Sequence, residues 1–394
     1  MRSIIAPNRA SVLPQLTPGP MFTTMLGDWR FRLRVDLGTR LVKGKAMSKG
    51  TCGISRRGFL QRAALGLGGA LVLPRVAGSV VKQPLPVAPS PVGLTHGDSR
   101  ADNIFQALKL IEPQVREALA KKKRVVIKPN LVVTNKQLAA THSGCIEGLL
   151  EFFQPLVQEE ILVAESPANG PAAEAYDHYG YHALERNYHV RFADLDTEPF
   201  RLRYLVSERH HPKAVRLSEL LVDPEVFVVS AAVMKTHDRV VTTLGLKNVA
   251  VGGILKDTGY RWGAGSTGTS DKHLVHGGPK NEGIHFNLFD LAADLHPDLT
   301  VIDGFEGMEG NGPTGGTPVD HRIAVASTDW LAADRVGIEL MGFDFKKVGY
   351  LTFCAQAGMG QSDLGRIEVL GERIADHVRA YRPHDGIEDQ YQWM

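Results

Sequence analysis

Hydrophobic and polar positions alternate in blocks from about residue 98 onward. Asp102–Lys121 carries Ile104, Leu108, Ile111, Val115 and Leu119 at helical spacing. Arg124–Pro129 follows as a short apolar strand. Ile146–Val157 is predicted as a helix, Ile161–Ala164 as a strand, and Glu174–Tyr188 as one or two helical pieces punctuated by Gly180. Val190–Asp194 reads as a strand. Val226–Val233 is the strongest strand of the chain, apolar at every position but Ser230 and thus suited to burial on both faces. Phe286–Leu295 is predicted as a helix, Leu299–Asp303 and Ile323–Ser327 as strands, and Asp329–Met341 as a helix with Asp329 near its cap. Short apolar strands alternating with helices predict an α/β fold, a mainly parallel sheet with helices on both faces. Polar alternation over Phe200–Leu217 predicts a small antiparallel excursion.

The segment before this body has a different character. Ser55-Arg56-Arg57-Gly58-Phe59-Leu60 precedes an uncharged run, Ala63–Leu73. Paired arginines before a short apolar stretch are the mark of a twin-arginine signal. The run has 11 residues, and a bilayer span needs about 20. The expectation is therefore a periplasmic or otherwise exported protein, with the twin-arginine machinery as a partner and no stable membrane span. Residues 1–46 are expected to be an upstream extension, 47–78 the signal, 79–97 a linker, 98–372 the body and 373–394 a tail. Cleavage is expected near Gly78.

Charge follows this division. The whole chain is +2, but residues 1–78 hold 13 Lys and Arg against two acids, which leaves residues 79–394 at −9. A net acidic body does not suit nucleic acid, whose binding needs basic surface to replace counterions. Of three cysteines, Cys52 lies in the leader, and Cys145 and Cys354 in the body. No C-x-x-C occurs, so a four-cysteine iron–sulfur cluster or structural zinc site within the chain is excluded. Cys145 and Cys354 remain a candidate disulfide or two buried thiols.

In a parallel sheet, ligands bind beyond the carboxyl ends of the strands. Four predicted strands run into chemistry-bearing text. The first meets Lys128-Pro129-Asn130, the second Glu165-Ser166-Pro167, and the third Lys235-Thr236-His237. The fourth meets Asp303-Gly304 and a glycine-rich stretch through Gly316. Buried lysines serve as anion anchors, bases or covalent tethers. Lys128 and Lys247 are therefore candidate catalytic residues, together with His237 as acid/base or metal ligand. His273 and His276, in a polar stretch, are candidate metal ligands beside His237. Lys235, Asn130, Asp303, Gly310, Asn311 and Gly312 are candidate cofactor- or anion-binding positions, the glycines because successive N–H groups can form an anion nest.

These motifs, in this order, resemble the family catalogued as domain of unknown function 362, over roughly Asp98–Glu372. Its signatures are matched by Lys128-Pro129-Asn130, by Lys235-Thr236-His237 with Lys247-Asn248, by Asp303-Gly304 with Gly307–Pro313, and by Ala326–Asp329 leading to Ala333-Asp334. Many members carry a four-cysteine insert that this chain lacks. His237 followed by Lys247 is also similar to lactate-racemase-like proteins. That resemblance implies a nickel-pincer nucleotide tethered by Lys247, with His237 as metal ligand or acid/base and His273 or His276 as a later histidine. The expectation is a metal- or cofactor-dependent enzyme, of racemase, isomerase or redox type, acting on a small anionic organic molecule. The alternative is an exported binding or cofactor-delivery protein without turnover.

Overall fold

The computed structural model describes residues 89–207, 209–263, 267–277 and 281–393. The paired arginines, the apolar run and the whole leader lie outside the described residues.

Among the described residues, eleven strands and six principal helices organise the body. In chain order they are β1 (Ser90–His96), α1 (Arg100–Leu110), β2 (Arg124–Lys128), α2 (Ser143–Phe153), β3 (Ile161–Glu165), β4 (Val190–Asp194), β5 (Phe200–Val206), β6 (Pro212–Ser218), β7 (Val226–Thr236), β8 (Thr242–Thr243), α3 (Gly245–Gly252), α4 (Glu282–Ala292), β9 (Leu299–Glu309), β10 (Thr317–Ser327), α5 (Trp330–Leu340), α6 (Gly349–Gln356) and β11 (Ile367–Gly371). Nine strands form one sheet in the order β11-β1-β10-β9-β7-β2-β3-β4, with β8 paired to β7. The contiguous block β9-β7-β2-β3-β4 is parallel, while β10 runs antiparallel to both β9 and β1. The α/β expectation holds. So does the antiparallel excursion, which is the separate β5–β6 hairpin.

Alternate residues of the central strands feed two cores. Val126, Val226 and Val228 enter one, with α3, α4, α5 and α6. Val125, Ile127, Phe227 and Val229 enter the other, with α1 and α2. Cys354 lies in the first core and Cys145 in the second, and both are free thiols. The sheet separates them, so the candidate disulfide does not form.

Several boundaries differ from the sequence-based expectation. The predicted helix Asp102–Lys121 is two helices, because Pro113 starts a second one at Glu112. The expected linker at 79–97 ends in a strand, β1, which inserts between β10 and β11. Residues 373–393 are also more than a tail: Tyr381, Gln390 and Trp393 are buried against the body. Asp303 and Gly304 sit inside the eleven-residue β9, not beyond its end. The first six residues of the glycine-rich stretch are therefore strand, and only the rest, from Gly310 to Gly316, is the turn of the β9–β10 hairpin. Among the described residues, no helix is long and apolar enough to cross a membrane.

Candidate functional site

The carboxyl ends of the parallel strands β2 and β3 lie beside β7, which runs on past Ser230, the partner of Lys128, to Thr236, and α3 packs against β7. Two charged side chains hold the ends of α3. Its first two N–H groups, from Gly245 and Leu246, donate to the Asp334 carboxylate at 2.7 and 3.1 Å. A carboxylate at a helix N-terminus satisfies orphan donors and meets the positive dipole end. At the other end, Lys272 donates to the carbonyls of Val251, Gly252 and Ile254. Lys272 was not singled out in the sequence, since nothing local marks a lysine that caps a helix twenty residues away.

Between these anchors, α3 presents Lys247 and Asn248. The Asn248 amide is fully used. Its oxygen accepts from Lys128 Nζ and Asn130 Nδ2, both at 3.0 Å, and its nitrogen donates to the Lys128 carbonyl and to Ser230 Oγ. Lys128 Nζ also donates to Glu165 Oε2 and the Pro129 carbonyl, each at 2.8 Å. Glu165 in turn accepts from the backbone N–H groups of Leu131 and Ser166. Lys235 donates to Asn130 Oδ1 at 2.6 Å and to the Ala139 carbonyl at 2.7 Å. The lysines and asparagines of three sequence motifs thus close into one buried polar network. Glu165 and Asn248 are its hubs, and sequence reasoning passed over both as site residues. Burial lowers the Lys128 pKa while Glu165 opposes the shift; burial and neighbouring Lys247 lower Lys235 to about 7.

Above this network lies a cavity of about 220 Å³. Lys128, Asn130, Glu165, Asn248 and Lys272 form its base. His237, Lys247 and His276 stand on its wall with Thr243, whose hydroxyl has no hydrogen-bond partner. Half-exposed Trp262 completes the lining. His237 follows β7 in a short reversal. Gln390, from the C-terminal segment, clamps it by donating to the His237 carbonyl and accepting from the Val241 N–H.

Lys247 Nζ lies 2.9 Å from His237 Nε2. That is its one hydrogen-bond partner among the described residues, although an ammonium has three hydrogens. Burial lowers the Lys247 pKa to about 8, with the Asp238 carboxylate opposing. Burial first, and then Lys247, hold His237 well below the ordinary imidazole range. His276, its ring stacked 6.5 Å from that of His237, is pushed down to about 4, chiefly by burial. The pair at neutral pH is therefore an ammonium beside a neutral imidazole.

The remaining candidates fall elsewhere. His273 is exposed and does not join His237 and His276. Both ring nitrogens of His237 are engaged within the protein. Among the described residues, no three His, Cys, Asp or Glu groups are placed to hold a metal ion. The expected three-histidine set thus does not assemble. Asp303 shares the opposite face of the sheet with Val301, pairs with Arg100 at 3.2 Å, and has its pKa raised by burial against that pairing. Gly310, Asn311 and Gly312 belong to the hairpin turn. A Cβ at Gly312 would lie 2.1 Å from the Thr236 carbonyl oxygen, so this glycine serves a close backbone approach. Asn311 pairs with Asp385 at 2.8 Å. The cavity volume of about 220 Å³ lies below the ~300–1,000 Å³ of sites for drug-sized ligands.

A thylakoid-associated protein of Synechocystis sp. is 28% identical over 244 residues, covering 60% of this chain and 68% of the relative. A crystal structure of a Thermotoga maritima protein aligns with 41% of this chain and 40% of its own length, at 17% identity and a TM-score of 0.31. The profile of the domain of unknown function DUF362 matches residues 125–339, a span that holds every member of the polar network, and the chain belongs to that family.

Proposed function

We propose that the cavity takes a small organic anion, anchored by the Lys247 ammonium, and that the His237–Lys247 pair moves a proton on it. The observation that carries this reading is the unequal use of the buried cations. Lys128 and Lys272 each donate to three oxygens of the protein, and Lys235 donates to two. Lys247 faces the cavity with one nitrogen partner and no carboxylate in contact. A buried ammonium without a counter-ion favours an anionic ligand that supplies the missing charge.

Lys247 has a pKa of about 8 and a neutral imidazole within hydrogen-bond reach. With that pKa, Lys247 can give up or take a proton near neutral pH, and the neutral imidazole beside it orients that proton, which suits general acid–base catalysis. The unpartnered Thr243 hydroxyl gives the ligand a second polar contact. The reaction class proposed is proton exchange at a carbon next to the anchored anionic group, as in a racemase or isomerase.

The test uses acetate, glycolate, pyruvate, malate and inorganic phosphate as probes. Titration calorimetry reads binding, and proton NMR in D₂O reads exchange of carbon-bound hydrogen. Binding with exchange of at least one carboxylate supports the enzyme. Binding without exchange leaves the non-catalytic binding protein as the surviving reading, and no binding at all sinks the proposal.

Export through the twin-arginine route is part of the same proposal. It rests on Arg56 and Arg57, the short apolar run after them, and the change from a basic leader to an acidic body.

A further inference from the structure

His237 Nδ1 has two neighbours that make opposite demands. The Arg239 N–H points at it from 3.0 Å as a donor, and Asp238 Oδ1 lies 3.0 Å away as an acceptor. A neutral imidazole nitrogen either carries a proton or offers a lone pair, so it serves one of these neighbours at a time. The choice reaches the far side of the ring. With the proton on Nδ1, Nε2 is a lone pair and accepts from the Lys247 ammonium at 2.9 Å. With the proton on Nε2, the same 2.9 Å contact requires Lys247 to be the acceptor, which only the neutral amine can be.

We propose that Asp238 is a positioning residue: by accepting from His237 Nδ1 it selects the tautomer that keeps Lys247 charged and ready for an anion. This rests on the anion-binding reading of the cavity. Asp238 is half-exposed and lines the cavity beside buried His237, so a mutation there leaves the core packing intact. The other charged or titratable groups that bear on the pair are cationic or neutral. Lys235 lies on β7, Arg239 beyond it, and His276 faces the ring from the segment after Lys272. Among the described residues, Asp238 is thus the one carboxylate acting on Lys247 to favour its charged form. Lys128 and Glu165, at the base, are already paired to each other.

The test measures affinity for the tightest-binding probe carboxylate as a function of pH, from 6 to 10, in the wild-type protein and in Asp238→Ala and Asp238→Asn. Lys247 binds anions while charged, so wild-type affinity falls as pH rises through about 8. In Asp238→Ala the fall is expected about one pH unit lower, on the order of a single close charge interaction. Asp238→Asn keeps an acceptor oxygen without the charge, and its midpoint is expected between the two. Unfolding temperatures of all three proteins are expected to agree within a few degrees. A midpoint unmoved in Asp238→Ala overturns the inference, while Lys247-dependent binding in the wild type still upholds the anion site. If the wild type binds no probe anion, the underlying reading fails instead.

Discussion

Lys128 reaches Glu165 and Asn248 only because Gly252 has no side chain: a Cβ at Gly252 would lie 1.8 Å from Lys128 Cε and 2.2 Å from its Nζ. The last turn of α3 and the end of β2 interlock at this point. Gly252→Ala is expected to push the lysine out of its buried network. The cost combines overpacking, about 1–3 kcal/mol, with a broken buried ion pair, about 3–5 kcal/mol. Denaturant unfolding reads this directly. A loss below about 1 kcal/mol contradicts the interlocked arrangement.

Asp334 acts at a distance from the cavity. It holds both leading N–H groups of α3 and contacts no cavity-lining side chain among the network residues. Asp334→Ala strands two buried donors at about 1–3 kcal/mol each. It is also expected to weaken anion binding about tenfold by loosening Lys247 and Asn248, the order of effect seen for supporting partners of a site. Unchanged affinity in a folded Asp334→Ala protein separates α3 from the binding role assigned to it.

Much of this was legible in the sequence, and the reasons are physical. The parallel block was readable because β2 and β7 are apolar on both faces, and few other structures bury such runs. His237 and Lys247 were readable as a pair because each follows a strand end or a tight turn at the same edge. Asp303 misled for a related reason. The strand-end rule places ligands beyond a strand, and Gly304 looked like its terminus, but pairing with β10 carries β9 on for five further residues to Glu309. His273 could not be separated from His276 by spacing alone, since the turn around them decides which ring faces inward. Glu165, Asn248 and Lys272 act through partners 18 to 120 residues away, and no local pattern encodes those contacts.

The buried lysines also set a pH dependence for the free protein. Lys235, Lys247 and Lys272 have folded-state pKa values of about 7, 8 and 7, against an ordinary 10.5. The unfolded chain therefore holds protons that the folded chain has released between pH 7 and 10.5. Stability rises with pH wherever the unfolded state binds more protons. The ligand-free body is expected to gain stability from pH 7 to 10, and Lys247→Met is expected to flatten part of that rise. Urea unfolding across this range checks it, and a steady decline from pH 7 to 9 runs against the burial of these cations.

Export is tested on the intact chain. Replacing both Arg56 and Arg57 by Lys is expected to leave the protein in the cytoplasm, because a receptor reads the paired guanidinium groups and not charge alone. Fractionation with an export-competent host gives the answer, and normal appearance of the double variant outside the cytoplasm removes the twin-arginine assignment.

The central claim is that Lys247 is the anion-holding charge of the cavity, and comparison of Lys247→Met with Lys247→Arg tests it most directly. Calorimetry with the probe carboxylates at pH 7 is expected to show binding lost by at least about tenfold in Lys247→Met, and largely kept in Lys247→Arg, since guanidinium also serves carboxylates. Loss in both variants would mark a covalent tether in place of an electrostatic anchor. Equal affinity in wild type and Lys247→Met, in a folded protein, would contradict the account outright.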